Sequence, residues 1–179
     1  MNLKGEMLFL RELKRKDWLD VHAYAALPES SSFQPWGPNT EEQSRQYVNQ
    51  CMQEACVSPR HRYALAITLS GTGEMVGCCE LKLRDVVNKT GELSYIVHPK
   101  YWGRGIASEA SDLMVSYGFC QLGLHRIIAT CDPRNKGSKR VLEKLGMKKE
   151  GLLRENIKPE MEWRDSLLFS ILDSEWKKY

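Results

Sequence analysis

Between Leu93 and Tyr117 an apolar run rich in strand formers meets two glycines and then a helical repeat, and no other stretch so narrows the folds open to this chain. Leu93 to Val97 favour a half-buried or fully buried strand, and Pro99 ends it by removing a backbone donor. Gly103 and Gly105 permit a positive φ or a close approach to a ligand, while Ala107 to Tyr117 places apolar residues at helical spacing. The order is strand, glycine turn, helix. The first free N–H groups of such a helix point back into the turn, where the helix dipole also favours negative charge. That geometry suits a pyrophosphate, although two glycines ahead of a helix also serve a plain tight turn.

Familiar phosphate loops do not match. A Walker-type loop needs Lys followed by Ser or Thr after its second glycine, and a dinucleotide fingerprint needs a third glycine and an acidic residue about 20 positions on. The segment Trp102-Gly-Arg-Gly-Ile-Ala107 instead resembles the acetyl-CoA loop of the GCN5-related N-acetyltransferases, whose pattern is Gln/Arg-x-x-Gly-x-Gly/Ala between a strand and a helix. Gly105 and Ala107 match it; Trp102 stands where Gln or Arg is usual. Preceded by His98-Pro99, the loop is similar to the branch that contains the ribosomal-protein N-terminal acetyltransferases. Asn135-Lys-Gly-Ser138, Leu142-Glu-Lys-Leu-Gly-Met147, Gly151-Leu-Leu-Arg154 and Trp163-Arg-Asp165 extend the resemblance, which runs from Glu6 to Trp176.

A length of 179 residues accommodates one substantial core and fits a single domain over 1–179 better than two. Lys and Arg total 26 against 23 Asp and Glu, a net charge of +3 without a basic run, so nucleic acid is not indicated as a partner. No apolar stretch approaches a membrane span and the first residues lack the order of a secretion signal, which places the expected location in the cytoplasm. The six cysteines show no Cys-x-x-Cys pair and several lie in apolar runs, arguing against structural zinc and a disulfide framework. No metal is expected.

In chain order, Glu6 to Leu13 alternates like a strand, and Lys14 to Leu27 puts Trp18, Leu19, His22, Ala25 and Ala26 on one helical face before Pro28. Ser30 to Asn39 reads as a loop carrying Phe33 and Trp36, and Thr40-Glu-Glu-Gln43 as a capping box. Tyr63–Leu69 and Met75–Leu83 form a hairpin across Ser70–Glu74. His125–Cys131 is a strand, Asn135–Leu145 a helix closed by Gly146, and Met161–Leu172 a last strand. The class is α+β, with a mixed, mostly antiparallel central sheet flanked by helices; the resemblance makes it the N-acetyltransferase fold.

The resemblance implies an acetyl-CoA-dependent N-acetyltransferase acting on a primary amine, foremost a protein or peptide N-terminal α-amine. A polyamine or aminoglycoside acceptor, or a non-catalytic acyl-CoA-binding module, are the alternatives, and monomer and homodimer both stay open. It also implies that Tyr95, Ile96 and Val97, the loop Gly103, Arg104, Gly105, Ile106 and Ala107, and Asn135 and Ser138 hold acetyl-CoA, and that Trp36 lies on the acceptor side. Each has a plainer reading: Asn135 and Ser138 as helix caps, Trp36 as a buried anchor. A backbone N–H near Ile96 or Val97 is the expected oxyanion donor. Glu92 enters an otherwise apolar strand and either accepts the amine proton, through water, or is a solvated strand end. Many relatives place a tyrosine at the position of Leu142 to protonate the leaving thiolate; here Ser138 is the nearest hydroxyl in sequence. No cysteine carries a mark of activation, so direct attack is expected rather than a covalent enzyme intermediate.

Overall fold

The computed structural model describes residues 1–158 and 162–176. Its strands are β1 (Asn2–Lys4), β2 (Leu8–Glu12), β3 (Arg62–Leu69), β4 (Met75–Asp85), β5 (Thr90–Val97), β6 (Arg126–Cys131), β7 (Lys148–Ile157) and β8 (Arg164–Leu172). Its α-helices are α1 (Trp18–Ala25), α2 (Pro28–Ser31), α3 (Glu41–Ala55), α4 (Ile106–Cys120) and α5 (Lys136–Lys144), with short 3₁₀ turns at Arg15–Asp17 and Pro99–Tyr101.

The strands form one sheet in the order β1-β2-β3-β4-β5-β6-β8-β7. Of the pairings among the described residues, β5–β6 alone is parallel. Helices cover both faces, so the central strand β3 is apolar on both sides and Ala64 to Thr68 are buried without a break. Leu65, Leu81, Leu93, Ile127 and Phe169 point to one face, where Met114 of α4 and Leu142 of α5 close the larger core. Ala64, Ala66 and Cys78 point to the other, against Val21 and Tyr24 of α1 and Val48 of α3.

Three expectations need correcting. Helix α1 buries Val21, Tyr24 and Ala25, not a face containing Leu19, which is 59% exposed. The 3₁₀ turn delays the helix to Trp18, and the sheet then selects the stripe one step round from the one that spacing favoured. Pro28 does more than end a helix, since it occupies the first turn of α2, where its missing N–H costs nothing. Strands β1 and β7 were not foreseen: both are edge strands, β1 has only three residues, and β7, exposed along most of its length, carries little alternation to read. The last strand begins at Arg164, and Met161, its expected start, lies outside the described residues. The capping box at Thr40 forms as expected: Gln43 N–H donates to Thr40 Oγ1 at 3.2 Å and Thr40 N–H to Gln43 Oε1 at 2.7 Å.

Candidate active site

The site begins where two strands part. β5 and β6 pair only at Thr90, Gly91 and Glu92. Lys89 C=O accepts from the backbone of Arg126, and His98 N–H donates to Val76 C=O on β4. Because ladder bonds alternate along a strand, the even residues Ser94 and Ile96 turn their backbone groups to β4, while Leu93, Tyr95 and Val97 turn theirs into the widening gap. Of the two expected oxyanion donors, Val97 therefore faces the gap and Ile96 does not. The Val97 carbonyl takes the Trp102 indole N–H at 2.7 Å, so the residue that departs from the Gln/Arg pattern ties the glycine loop to the end of β5.

Gly103 and Gly105 adopt φ of 76° and 81°, and Gly105 is the N-cap of α4. The first bond of the helix runs from Glu109 N–H to Gly105 C=O, which leaves the N–H groups of Ile106, Ala107 and Ser108 without intrahelical partners. A side chain at Gly103 would meet nothing within 4 Å, and one at Gly105 only the tip of Met7. The acidic residue in this first turn, Glu109, is drawn off to the bend just before β2, where its Oε1 accepts from Met7 N–H at 2.9 Å. What remains at the helix start is open, donor-rich and free of a competing carboxylate, a fit for a diphosphate.

On α5, Asn135 caps the helix by accepting from Ser138 N–H at 2.9 Å. Ser138 Oγ lies 2.9 Å from the Tyr95 hydroxyl, which also donates to the Ser138 carbonyl at 3.1 Å. Burial pushes the Tyr95 phenol well up from its ordinary range, so it acts here as a neutral hydrogen-bonding group. Leu142 is fully buried in the larger core, and the tyrosine hydroxyl that reaches α5 comes from β5.

Beside the gap, a cavity of about 530 Å³ is lined by Glu92, Tyr95, Ile96, Trp36 and Tyr24. Glu92 is 26% exposed and its Oε2 lies 3.1 Å from Arg84 Nε. A second carboxylate, Glu80, stands opposite Ser94 on β4 and lines the same cavity. It accepts from Tyr47 Oη at 2.5 Å and from Arg62 Nε and Nη2 at 2.8 and 2.9 Å. Burial alone would lower the Arg62 pKa, but the hydrogen bond and charge of Glu80 hold it above the ordinary arginine value. Sequence reasoning missed this cluster. The available signal was the lone acidic residue within the apolar run Met75–Leu81. Burial pushes the Cys51 and Cys78 thiols up to about 12, which makes them packing groups rather than nucleophiles.

A wider cavity of about 920 Å³ adjoins, bordered by Trp36, Asp132, Arg134, Trp163 and Arg164. Trp36, 36% exposed, lines both spaces. The structure thus gathers Glu92, Tyr95, Ile96 and Trp36 around one cavity, joins Ser138 to it through Tyr95, and sets Gly103–Ala107 apart at the far end of β5.

The family model described as an acetyltransferase (GNAT) domain matches residues 7–148. An uncharacterized N-acetyltransferase of Bacillus subtilis (strain 168), YnaD, is 32% identical over 98% of this chain and 99% of its own length. The crystal structure of a GNAT-family acetyltransferase from Bacillus anthracis superposes with a TM-score of 0.86 at 35% identity, covering 98% of this chain and 100% of that one. A spermidine N-acetyltransferase from Vibrio cholerae, solved with CoA and spermine, shares the fold at a TM-score of 0.81 and 21% identity, over 96% and 98% of the two chains.

Proposed function

The chain belongs to the acetyltransferase (GNAT) family and is an N-acetyltransferase, and from that premise we propose that it transfers acetyl from acetyl-CoA directly to the N-terminal α-amine of a peptide or protein. The observation that carries the acceptor reading is the state of the charges around the smaller cavity, whose three carboxylates are all paired. Glu80 is neutralised by Arg62, Glu92 pairs with Arg84, and Asp132 pairs with Arg134 and Arg164. A polycation needs several carboxylates free to receive it, whereas a single amine next to an apolar, aromatic wall does not.

Bound acetyl-CoA supplies the activated thioester. The N–H groups at the start of α4 and the loop Gly103–Ala107 hold its diphosphate, and the gap-facing backbone of β5, with Asn135, receives the pantetheine arm. Val97 N–H polarises the acyl carbonyl. Glu92 takes the proton that the attacking amine loses, through water; an α-amine, with a pKa of about 7.7–8.0, needs less help than a lysine at about 10.4. The N–C bond forms as the C–S bond breaks, and Ser138, oriented by Tyr95, hydrogen-bonds the departing thiolate. Six reduced cysteines and an acetyl-CoA co-substrate fit a cytoplasmic enzyme, acting as monomer or homodimer and without a metal.

The second reading is a polyamine acceptor, because a spermidine N(1)-acetyltransferase of Escherichia coli (strain K12) is 29% identical over 104 residues, 58% of this chain and 56% of that protein. The test is an acceptor screen of peptides, polyamines and aminoglycosides, read by thiol release and by the mass of the product. N-terminally acetylated peptide is the expected result; turnover of polyamines alone overturns the reading.

A further inference from the structure

We infer that Arg164 binds a carboxylate carried by the acceptor, so that amines bearing an acidic group near the nitrogen are the preferred substrates. The inference rests on the reading of these cavities as the acceptor site.

Trp163-Arg-Asp165 leads into β8 opposite an irregular stretch of β7. The register shifts between Leu153 and Ile157, and Glu155 takes a φ of 47°. Asp165 Oδ1 fixes this bulge by accepting Glu155 N–H at 2.8 Å. Arg164, paired in register with Ile157, lines both cavities.

Its side chain is 13% exposed and lies 3.3 Å, through Nη1, from Asp132 Oδ2. Its Nε is buried and, among the described residues, has no hydrogen-bond partner. Asp132 is already served by Arg134, which donates to it from its backbone N, Nε and Nη2 at 2.7, 3.0 and 2.8 Å. Two guanidinium groups therefore share one carboxylate, and the better geometry belongs to Arg134. Glu162 and Asp165 border the wider cavity, but neither forms an ion pair with Arg164.

At least one buried donor, Arg164 Nε, is thus left over at the junction of the cavities. A buried donor without an acceptor is costly, and the planar arginine fork matches a carboxylate. A ligand carboxylate supplies the missing acceptor. It can come from an acidic side chain close behind a peptide N-terminus or from the α-carboxylate of a free amino acid.

The test measures kcat/KM for matched tetrapeptide amides, one neutral and two with a glutamate at the second or third position, and for free amino acids. Wild-type protein should favour a carboxylate-bearing acceptor by about ten- to a hundredfold, the worth of one hydrogen bond to a charged group. Preference for an acidic peptide identifies the side chain as the source, and preference for free amino acids the α-carboxylate. In Arg164→Gln the acidic-to-neutral ratio should fall close to one; Arg164→Lys, which keeps the charge and loses the fork, should retain part of it and decides the matter if the glutamine variant does not fold. No preference in the wild type, or a preference that survives Arg164→Gln, overturns the role of Arg164 while leaving the peptide reading intact. Acetylation of spermidine with no peptide or amino acid turned over overturns both.

Discussion

At the scale of single residues, the site is built from groups whose partners set their chemistry. Glu92 pairs with the half-exposed Arg84, whereas Glu80 is locked by Tyr47 and Arg62, and the proposed mechanism therefore gives the proton transfer to Glu92. Glu92→Gln should lower kcat by about ten- to a thousandfold with acetyl-CoA affinity by calorimetry unchanged. An unaltered kcat would reduce Glu92 to a partner for Arg84. Ser138 has a single proton to donate, and the Tyr95 hydroxyl beside it helps decide where that proton points. Ser138→Ala should bind acetyl-CoA normally and turn over about ten- to a thousandfold more slowly; a wild-type kcat would leave Ser138 as a neighbour of Tyr95 and nothing more. Asp132 gives a pH effect on stability. Burial acts to raise its pKa, but the hydrogen bonds and charge of Arg134, with Arg164, win and hold it below the ordinary 3.8. A carboxylate lowered in the folded state stabilises fully above its unfolded value and loses that contribution as pH falls through the lowered one. Urea unfolding should therefore show a loss of stability below about pH 4 that is smaller in Asp132→Asn.

At the scale of elements, the strand, turn and helix from β5 to α4 follow from local chemistry alone. A positive φ at Gly103 and Gly105 is what a chain needs to reverse from a strand into a helix whose N–H groups face the turn. Gly105→Val places a β-branched side chain at φ 81°, a strain of about 1–3 kcal/mol at the start of the anion site. Titration calorimetry should show acetyl-CoA binding abolished while the far-ultraviolet circular dichroism stays native; retained affinity would move the diphosphate elsewhere. The α5 cap was legible for the same reason, since Asn135 and Gly146 sit where an N-cap and a left-handed C-terminal residue belong. Edge strands were not: β7 carries charge on both faces and is a strand because β8 lies beside it.

At the scale of the whole molecule, β8 inserts between β6 and β7, so the chain lays down the edge strand first and then returns inside it. Phe169, on β8, is buried against the α4 side and pairs with Ala129 and Lys149 on its two neighbours. Phe169→Ala should cost about 3–5 kcal/mol, read as a lowered urea midpoint at unchanged slope. A loss under 1 kcal/mol, the scale of an exposed substitution, would mean that β8 is not the keystone of that half of the sheet.

The sequence by itself determined the elements with strong local signatures: the β5 to α4 turn, the capped helices α3 and α5, the β3–β4 hairpin, and through its ordered motifs the family. Those depend on backbone conformation and on hydrogen bonds a few residues apart, which residue identity dictates. Only the tertiary structure decided which way β5 turns its backbone at the gap, that Tyr95 meets Ser138 across 43 positions, that Glu80 is neutralised by Arg62, and that Arg164 shares Asp132 with Arg134. Such pairings join strands and helices distant along the chain, and whether a charge is free or cancelled depends on what folding places beside it.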